Sequence, residues 1–171
     1  MLNKVLIMSD SHGLENEITM IKERHEIKNL IHCGDSELDM DASEMEGFLK
    51  VAGNCDFDAR YPEEQVVDIG ELKFLIVHGH LHGVKSGLTT LSYRAEELGA
   101  QVACYGHTHI ADVSKIDNQL FINPGSIRLP RNRSEKTYCI MTWEDKSSIS
   151  IQYYTLSGEV VENLSLTIQL D

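Results

Sequence analysis

The chain has 171 residues, 42% of them apolar, and sets 27 acidic side chains against 15 basic ones for a formal charge of −12. This composition excludes wholesale disorder and fits one globular domain over residues 1–171. The charge disfavours long nucleic acid, whose phosphates reward a basic surface.

In chain order, the apolar run Val5-Leu6-Ile7-Met8 predicts a strand, and Leu14, Ile18 and Ile21 predict a helix within Leu14 to Glu26. Leu30-Ile31 and Phe48 to Val51 read as two further strands. Gln65 to Ile69 and Leu72 to Val77 form a predicted hairpin around Gly70-Glu71. A second helix is expected from about Leu88 to Leu98, then a strand over Gln101 to Tyr105. Asp112 to Ile116 and Gln119 to Ile122 flank Asp117-Asn118 as a second hairpin. Thr137 to Trp143, Ser148 to Leu156 and Glu159 to Leu170 alternate apolar and polar residues, as antiparallel sheet with one solvated face does. Strands alternating with helices over the first two thirds imply βαβ units and a largely parallel arrangement there.

No run approaches the roughly 20 apolar residues of a membrane span. The first ten residues lack a signal-peptide cleavage pattern, and Cys33, Cys55, Cys104 and Cys139 form no C-x-x-C pair. A cytoplasmic protein with reduced, mostly buried thiols is expected, away from any membrane.

The five strand-like runs end in Asp10-Ser11-His12, Gly34-Asp35, Gly53-Asn54-Cys55-Asp56, His78-Gly79-His80 and Gly106-His107-Thr108-His109. Loops at the carboxyl ends of strands line the ligand crevice of an open α/β sheet, so five sets of oxygen and imidazole donors can converge. Carboxylate, imidazole and carboxamide together suit manganese, iron, zinc or nickel rather than calcium. Glycine beside most of them allows sharp turns and close backbone approach. Each element alone has a plainer reading. Asp10 or Ser11 could cap a helix, Gly34-Asp35 and Gly53-Asn54 could be turns, and His78 could be a satisfied core histidine. All five plain readings holding at once is the less economical account.

Taken together, the set D-x-H, G-D, G-N-x-[DE], H-G-H and G-H-x-H, continuing to Asn123-Pro124-Gly125-Ser126 and Pro130-Arg131, resembles the calcineurin-like metallophosphoesterases, specifically small single-domain phosphodiesterases of the YfcE/YsnB type. The resemblance covers nearly the whole chain. It implies a four-layer α-β-β-α sandwich of two mixed sheets flanked by helices. It also implies two divalent ions, with Asp10, His12 and His109 holding one, Asn54, His78 and His107 the other, and Asp35 bridging. Mn²⁺ is the first expectation, with Ni²⁺, Zn²⁺ and iron as alternatives. The expected reaction is hydrolysis of a small phosphodiester by a hydroxide held between the ions, with Asp35 and Asn54 as catalytic ligands.

One position departs from the broader superfamily, where histidine follows the motif asparagine; here Cys55 follows Asn54. A thiol is a poor general acid near neutral pH, so His80 is the candidate for that role, with a plain loop histidine such as His82 as the competing reading. Arg128 and Arg131 are candidate phosphate contacts, whereas Arg133, Lys136 and the acidic stretch Glu37 to Glu46 read as solvated surface. The negative charge is uneven: residues 1–64 carry a net −9 and residues 65–171 a net −3. Only Asp10 and Asp35 of the proposed ligands are carboxylates, so two divalent ions leave a locally positive pocket for a phosphate. The competing function is a metal-bearing protein-interaction scaffold of the same fold with little catalysis. A homo-oligomer is left open.

Overall fold

Strand β1 (Asn3–Met8) sets the layout of the computed structural model, which describes residues 1–171. Successive side chains of a strand point to opposite faces. Val5 and Ile7 therefore enter the core between two sheets, and Leu6 and Met8 enter a second cluster under helix α1 (Asn16–His25). β1 pairs in parallel with β2 (Asn29–His32), which pairs in parallel with β3 (Phe48–Lys50). Its other edge is antiparallel to β9 (Thr137–Trp143), followed by β10 (Ile149–Thr155) and β11 (Leu166–Ile168). The order of this six-stranded sheet is β11-β10-β9-β1-β2-β3.

The second sheet has the order β4-β5-β6-β8-β7. It comprises β4 (Glu64–Ile69), β5 (Leu72–Val77), β6 (Val102–Cys104), β7 (Asp112–Ile116) and β8 (Gln119–Asn123). Both expected hairpins form, with Ile69 opposite Leu72 and Ile116 opposite Gln119. The inner faces bury a 22-residue cluster that includes Phe74, Ile122 and Trp143. Helix α2 (Thr89–Leu98) covers the outside of the five-stranded sheet through Leu91 and Ala95. Burying a side chain the size of Leu91 contributes about 1.5–3 kcal/mol. The expected sandwich of two mixed sheets with helices outside is therefore the observed fold. No helix is long and apolar enough to cross a membrane.

Two local expectations differ. The stretch Glu159 to Leu170 gives only the three-residue β11 and one bridge between Tyr154 and Val160, because the Ser165 N–H folds back to the Val161 and Glu162 carbonyls and closes a turn. Asp10 and Ser11 do not cap α1, which begins after Glu15. The loop they belong to is laced to the loop after β2 instead, through Asp10 N–H to Gly34 O (3.0 Å), His12 N–H to Asp35 O (2.9 Å) and Gly13 N–H to Ser36 O (2.8 Å). That lacing brings the first two sets of donors together.

Candidate metal centre

The loops after β1, β2, β3, β5 and β6 meet at one end of the sandwich. Asp10, Asp35, His78 and His109 are buried there; His12 and His107 are partly exposed and Asn54 is exposed. Three histidines share one arrangement. His78 Nδ1 lies 2.7 Å from the Cys33 carbonyl, His109 Nδ1 lies 2.8 Å from the Leu129 carbonyl, and His12 Nδ1 lies 3.1 Å from Glu37 Oε1. Donation of Nδ1–H to these oxygens fixes the tautomer and leaves the Nε2 lone pair free, as metal-bound imidazoles require.

The free nitrogens converge. His109, His12 and His78 Nε2 stand 3.1, 3.7 and 3.8 Å from Asp10 Oδ1, a buried oxygen that accepts no hydrogen bond. The other Asp10 oxygen is satisfied by Ser9 Oγ (2.6 Å) and the His107 N–H (3.1 Å). His12 Nε2 and His109 Nε2 face each other at 3.2 Å. His78 Nε2 also lies 3.1 Å from both Asp35 Oδ2 and Asn54 Oδ1. Lone pairs crowded about an unsatisfied buried carboxylate oxygen are costly unless a cation or proton sits among them. The donors fall into close sets of Asp10, His12 and His109, and of Asp10, Asp35 and His78. These residues fit a divalent ion.

The backbone is unusual at the same places. Asp10, His12, Asp35, His107 and His109 all have positive φ, between 41° and 72°. Such conformations cost non-glycine residues free energy and cluster at functional sites, where surrounding bonds over-determine them. Glycine serves here mainly through close approach. A Cβ on Gly53 would lie 2.0 Å from Asp35 Oδ1, and one on Gly106 would lie 2.5 Å from Asp10 Oδ2.

Residues 4–146 match the model of the calcineurin-like phosphoesterase superfamily domain. The chain belongs to this superfamily. The chain is 46% identical to the probable metallophosphoesterase YsnB of Bacillus subtilis (strain 168), over 97% of its own length and 99% of that one. Its structure is similar to that of a predicted phosphoesterase from Streptococcus pneumoniae TIGR4, with a TM-score of 0.94, 34% identity and 98% of both chains covered. The zinc complex of Vps29 from Entamoeba histolytica shares the fold, with a TM-score of 0.75, 20% identity and full coverage of both chains.

Not every predicted residue joins the close sets. The His107 ring stands 5.0 Å, centre to centre, from that of His78 and outside them. Asn54 reaches the site through His78. His80 follows Gly79 in a short 3-10 turn, its ring 5.4 Å from that of His78 and 6.1 Å from that of His107, with a buried Nδ1 that has no partner. Exposed Arg128 is tied to the rim by a hydrogen bond from Nη1 to the His12 carbonyl, and the Arg131 N–H donates to the His109 carbonyl at 3.0 Å. Cys55 lies within ligand reach of His12 and Asp35, and burial together with Asp35 and Glu37 pushes its thiol up to about 11.

Two residues escaped the sequence reading. Glu37, expected as mere surface, backs His12. Asp56 accepts the N–H groups of Asp35 (2.8 Å), Gly53 (2.7 Å) and Glu37 (2.9 Å), and so organises the loop that carries the bridging candidate. The G-N-x-[DE] pattern pointed to Asp56 without its role; nothing in the sequence separated Glu37 from its acidic neighbours.

Electrostatics follow from this crowding. Burial alone would raise the Asp10 carboxyl, but His109, His12 and His78 outweigh it and hold the group far below the carboxylate range. The Asp10 carboxylate beside its ring, against burial and with help from Glu37, raises His12 to about 9 from 6.5. Without metal, His12 therefore contributes stability that is complete below pH 6.5 and is lost as the pH rises through about 9. Buried His32, held at 2.8 Å from Ser11 Oγ, is lowered to about 4, so its contribution is present above 6.5 and is lost as the pH falls through about 4. In chelator-treated protein the thermal midpoint is expected to fall between pH 6.5 and 9. His12→Asn should flatten that slope in a differential scanning measurement; an equally steep slope in the variant would contradict the assignment.

Proposed function

We propose that this phosphoesterase is a phosphodiesterase that depends on two divalent ions and acts on small phosphodiesters. Asp10, His12 and His109 would hold one ion, Asn54, His78 and His107 the other, and Asp35 both. The observation that carries this reading is the buried Asp10 Oδ1, without a hydrogen bond, faced by three imidazole nitrogens whose tautomers are fixed from behind. A scaffold needs none of the seven candidate ligands to bind a protein partner, which supports the catalytic reading over the alternative. Nitrogen and oxygen donors favour Mn²⁺, with Ni²⁺, Zn²⁺ or iron as substitutes. Four free cysteines support a cytoplasmic setting, and the core cluster shared by both sheets supports a single domain.

When bound, the ions supply an acidified water and positive charge against the phosphate oxygens. The chain's own residues do the rest. Arg128 presents an exposed guanidinium, anchored on the His12 carbonyl, whose fork matches phosphate oxygens, with Arg131 two residues beyond its neighbour Leu129. Cys55 keeps its proton, and His80 is shifted toward the neutral ring by burial and by His78. Cys55 is the poorer donor to a departing alkoxide at neutral pH, so His80 stays the candidate for that role and esters of acidic alcohols are the preferred substrates.

The test is hydrolysis of bis(p-nitrophenyl) phosphate by chelator-stripped protein before and after addition of Mn²⁺, Ni²⁺ or Zn²⁺. Activity is expected only with metal; equal turnover without it rejects the proposal. Glu37→Gln provides a second check by calorimetry. Losing the carboxylate behind His12 is expected to weaken Mn²⁺ binding about 10- to 100-fold while the fold is retained. Wild-type affinity would show that Glu37 does not position the ring.

A further inference from the structure

A shallow, solvent-open cavity of about 610 Å³ lies between α1 and the turn after β10, and shares no residue with the metal centre. Its cations are Arg24 and Lys136, and none of its lining residues is acidic, in a chain with 27 carboxylate side chains. Neither cation has a carboxylate within ion-pair distance, whereas Arg60 and Arg94 each have two and Arg133 has one.

Arg24 is fixed in advance. Its Nη1 donates to Tyr138 Oη (3.1 Å) and to the Leu156 carbonyl (3.0 Å), and Tyr138 Oη is also held 2.6 Å from His25 Nε2. The Tyr138 ring stacks on Tyr154 at 5.6 Å. Gly158 lets the guanidinium lie against the turn, since a Cβ there would come within 2.9 Å of Arg24 Nε. Nε and Nη2 of this pinned group make no hydrogen bond to the protein, so a ligand gains charged donors without ordering the side chain. Lys136 and the Ser134 hydroxyl add donors, and exposed Met20 with Leu156 forms an apolar wall.

We propose that this cavity binds small phosphomonoesters, with the phosphate between Arg24 and Lys136 and the ester group against Met20 and Leu156. A dianion answers two unpaired cations, and the apolar wall asks for more than inorganic phosphate. The site stands on this geometry whether or not the metal centre hydrolyses phosphodiesters.

The test titrates phenyl phosphate into the chelator-treated 171-residue chain, followed by calorimetry and by backbone amide NMR. Shifts are expected at Lys136 and at Leu156 to Gly158, with inorganic phosphate and phenol both binding more weakly. Lys136→Gln, whose side chain makes no hydrogen bond in the fold, is expected to weaken binding about fivefold, and Arg24→Gln with Lys136→Gln about a hundredfold. Because Arg24 also ties down Tyr138, the single Lys136 variant keeps the test informative if the double variant misfolds. The proposal is overturned if shifts centre on His12 and Arg128, if Lys136→Gln binds like wild type, if phenol binds as tightly as phenyl phosphate, or if no binding is detected.

Discussion

Asp35→Asn is expected to lower metal-stimulated hydrolysis of bis(p-nitrophenyl) phosphate about a thousandfold, equivalent to about 4 kcal/mol of transition-state stabilisation. The reason lies in how its two oxygens are used. Oδ1 accepts the Cys55 N–H at 2.8 Å, and Oδ2 faces His78 Nε2 at 3.1 Å and His12 Nε2 at 3.9 Å. Asn keeps the volume and an oxygen for the Cys55 N–H, so the loop is retained. It removes the negative charge and the second oxygen, so one group no longer serves both proposed ion sites. Bound metal per chain should fall together with kcat/KM, at a thermal midpoint close to that of metal-free wild type. Normal turnover with a full complement of metal would remove Asp35 from the mechanism.

Gly53→Ala is expected to be nearly as damaging to the site, by crowding rather than by chemistry. The new methyl would sit 2.0 Å from Asp35 Oδ1 and 2.6 Å from the Asp35 backbone nitrogen, and a backbone atom cannot swing aside. Overpacking of this kind costs about 1–3 kcal/mol, a fall of about 5 °C in the midpoint for a chain of this size. The displaced carboxylate should cost metal affinity as well. Gly83→Ala is the contrast: a Cβ there meets nothing within 4 Å, although φ is +60°. It should lose about 1 kcal/mol of stability to backbone strain and keep its metal. Equal metal affinity in the two variants would refute the crowding explanation.

The site was legible where chemistry is local. A strand, a glycine and a donor lie within a few residues of one another at Asp35, His78 and His107, so the sequence shows both the position and the ligand type. The hairpins at Gly70-Glu71 and Asp117-Asn118 were legible for the same reason. What could not be read depends on contacts distant in sequence. Glu37 meets His12 across 25 residues, and Leu129 offers its carbonyl to His109 from 20 residues away. Glu159 to Leu170 alternates like a strand, but a turn at Val161 to Ser165 stops it from pairing along its length. The two-sheet arrangement came from the family resemblance, because the unbroken apolar run of β1 shows that both faces are buried and not what covers each.

Asp10, His12, Asp35 and Asn54 follow strands of the six-stranded sheet, and His78, His107 and His109 follow strands of the five-stranded one. An ion gripped by both, as proposed, would be a removable rivet between the two halves of the molecule. Parting the halves at that end would also require releasing the ion, which at a hundredfold excess over its dissociation constant adds about 2.7 kcal/mol of resistance. Scarcity of the cation would thus shorten the lifetime of the folded chain itself, exposing it to proteases. Cellular abundance of the protein would then follow ion supply, apart from any change in turnover per molecule.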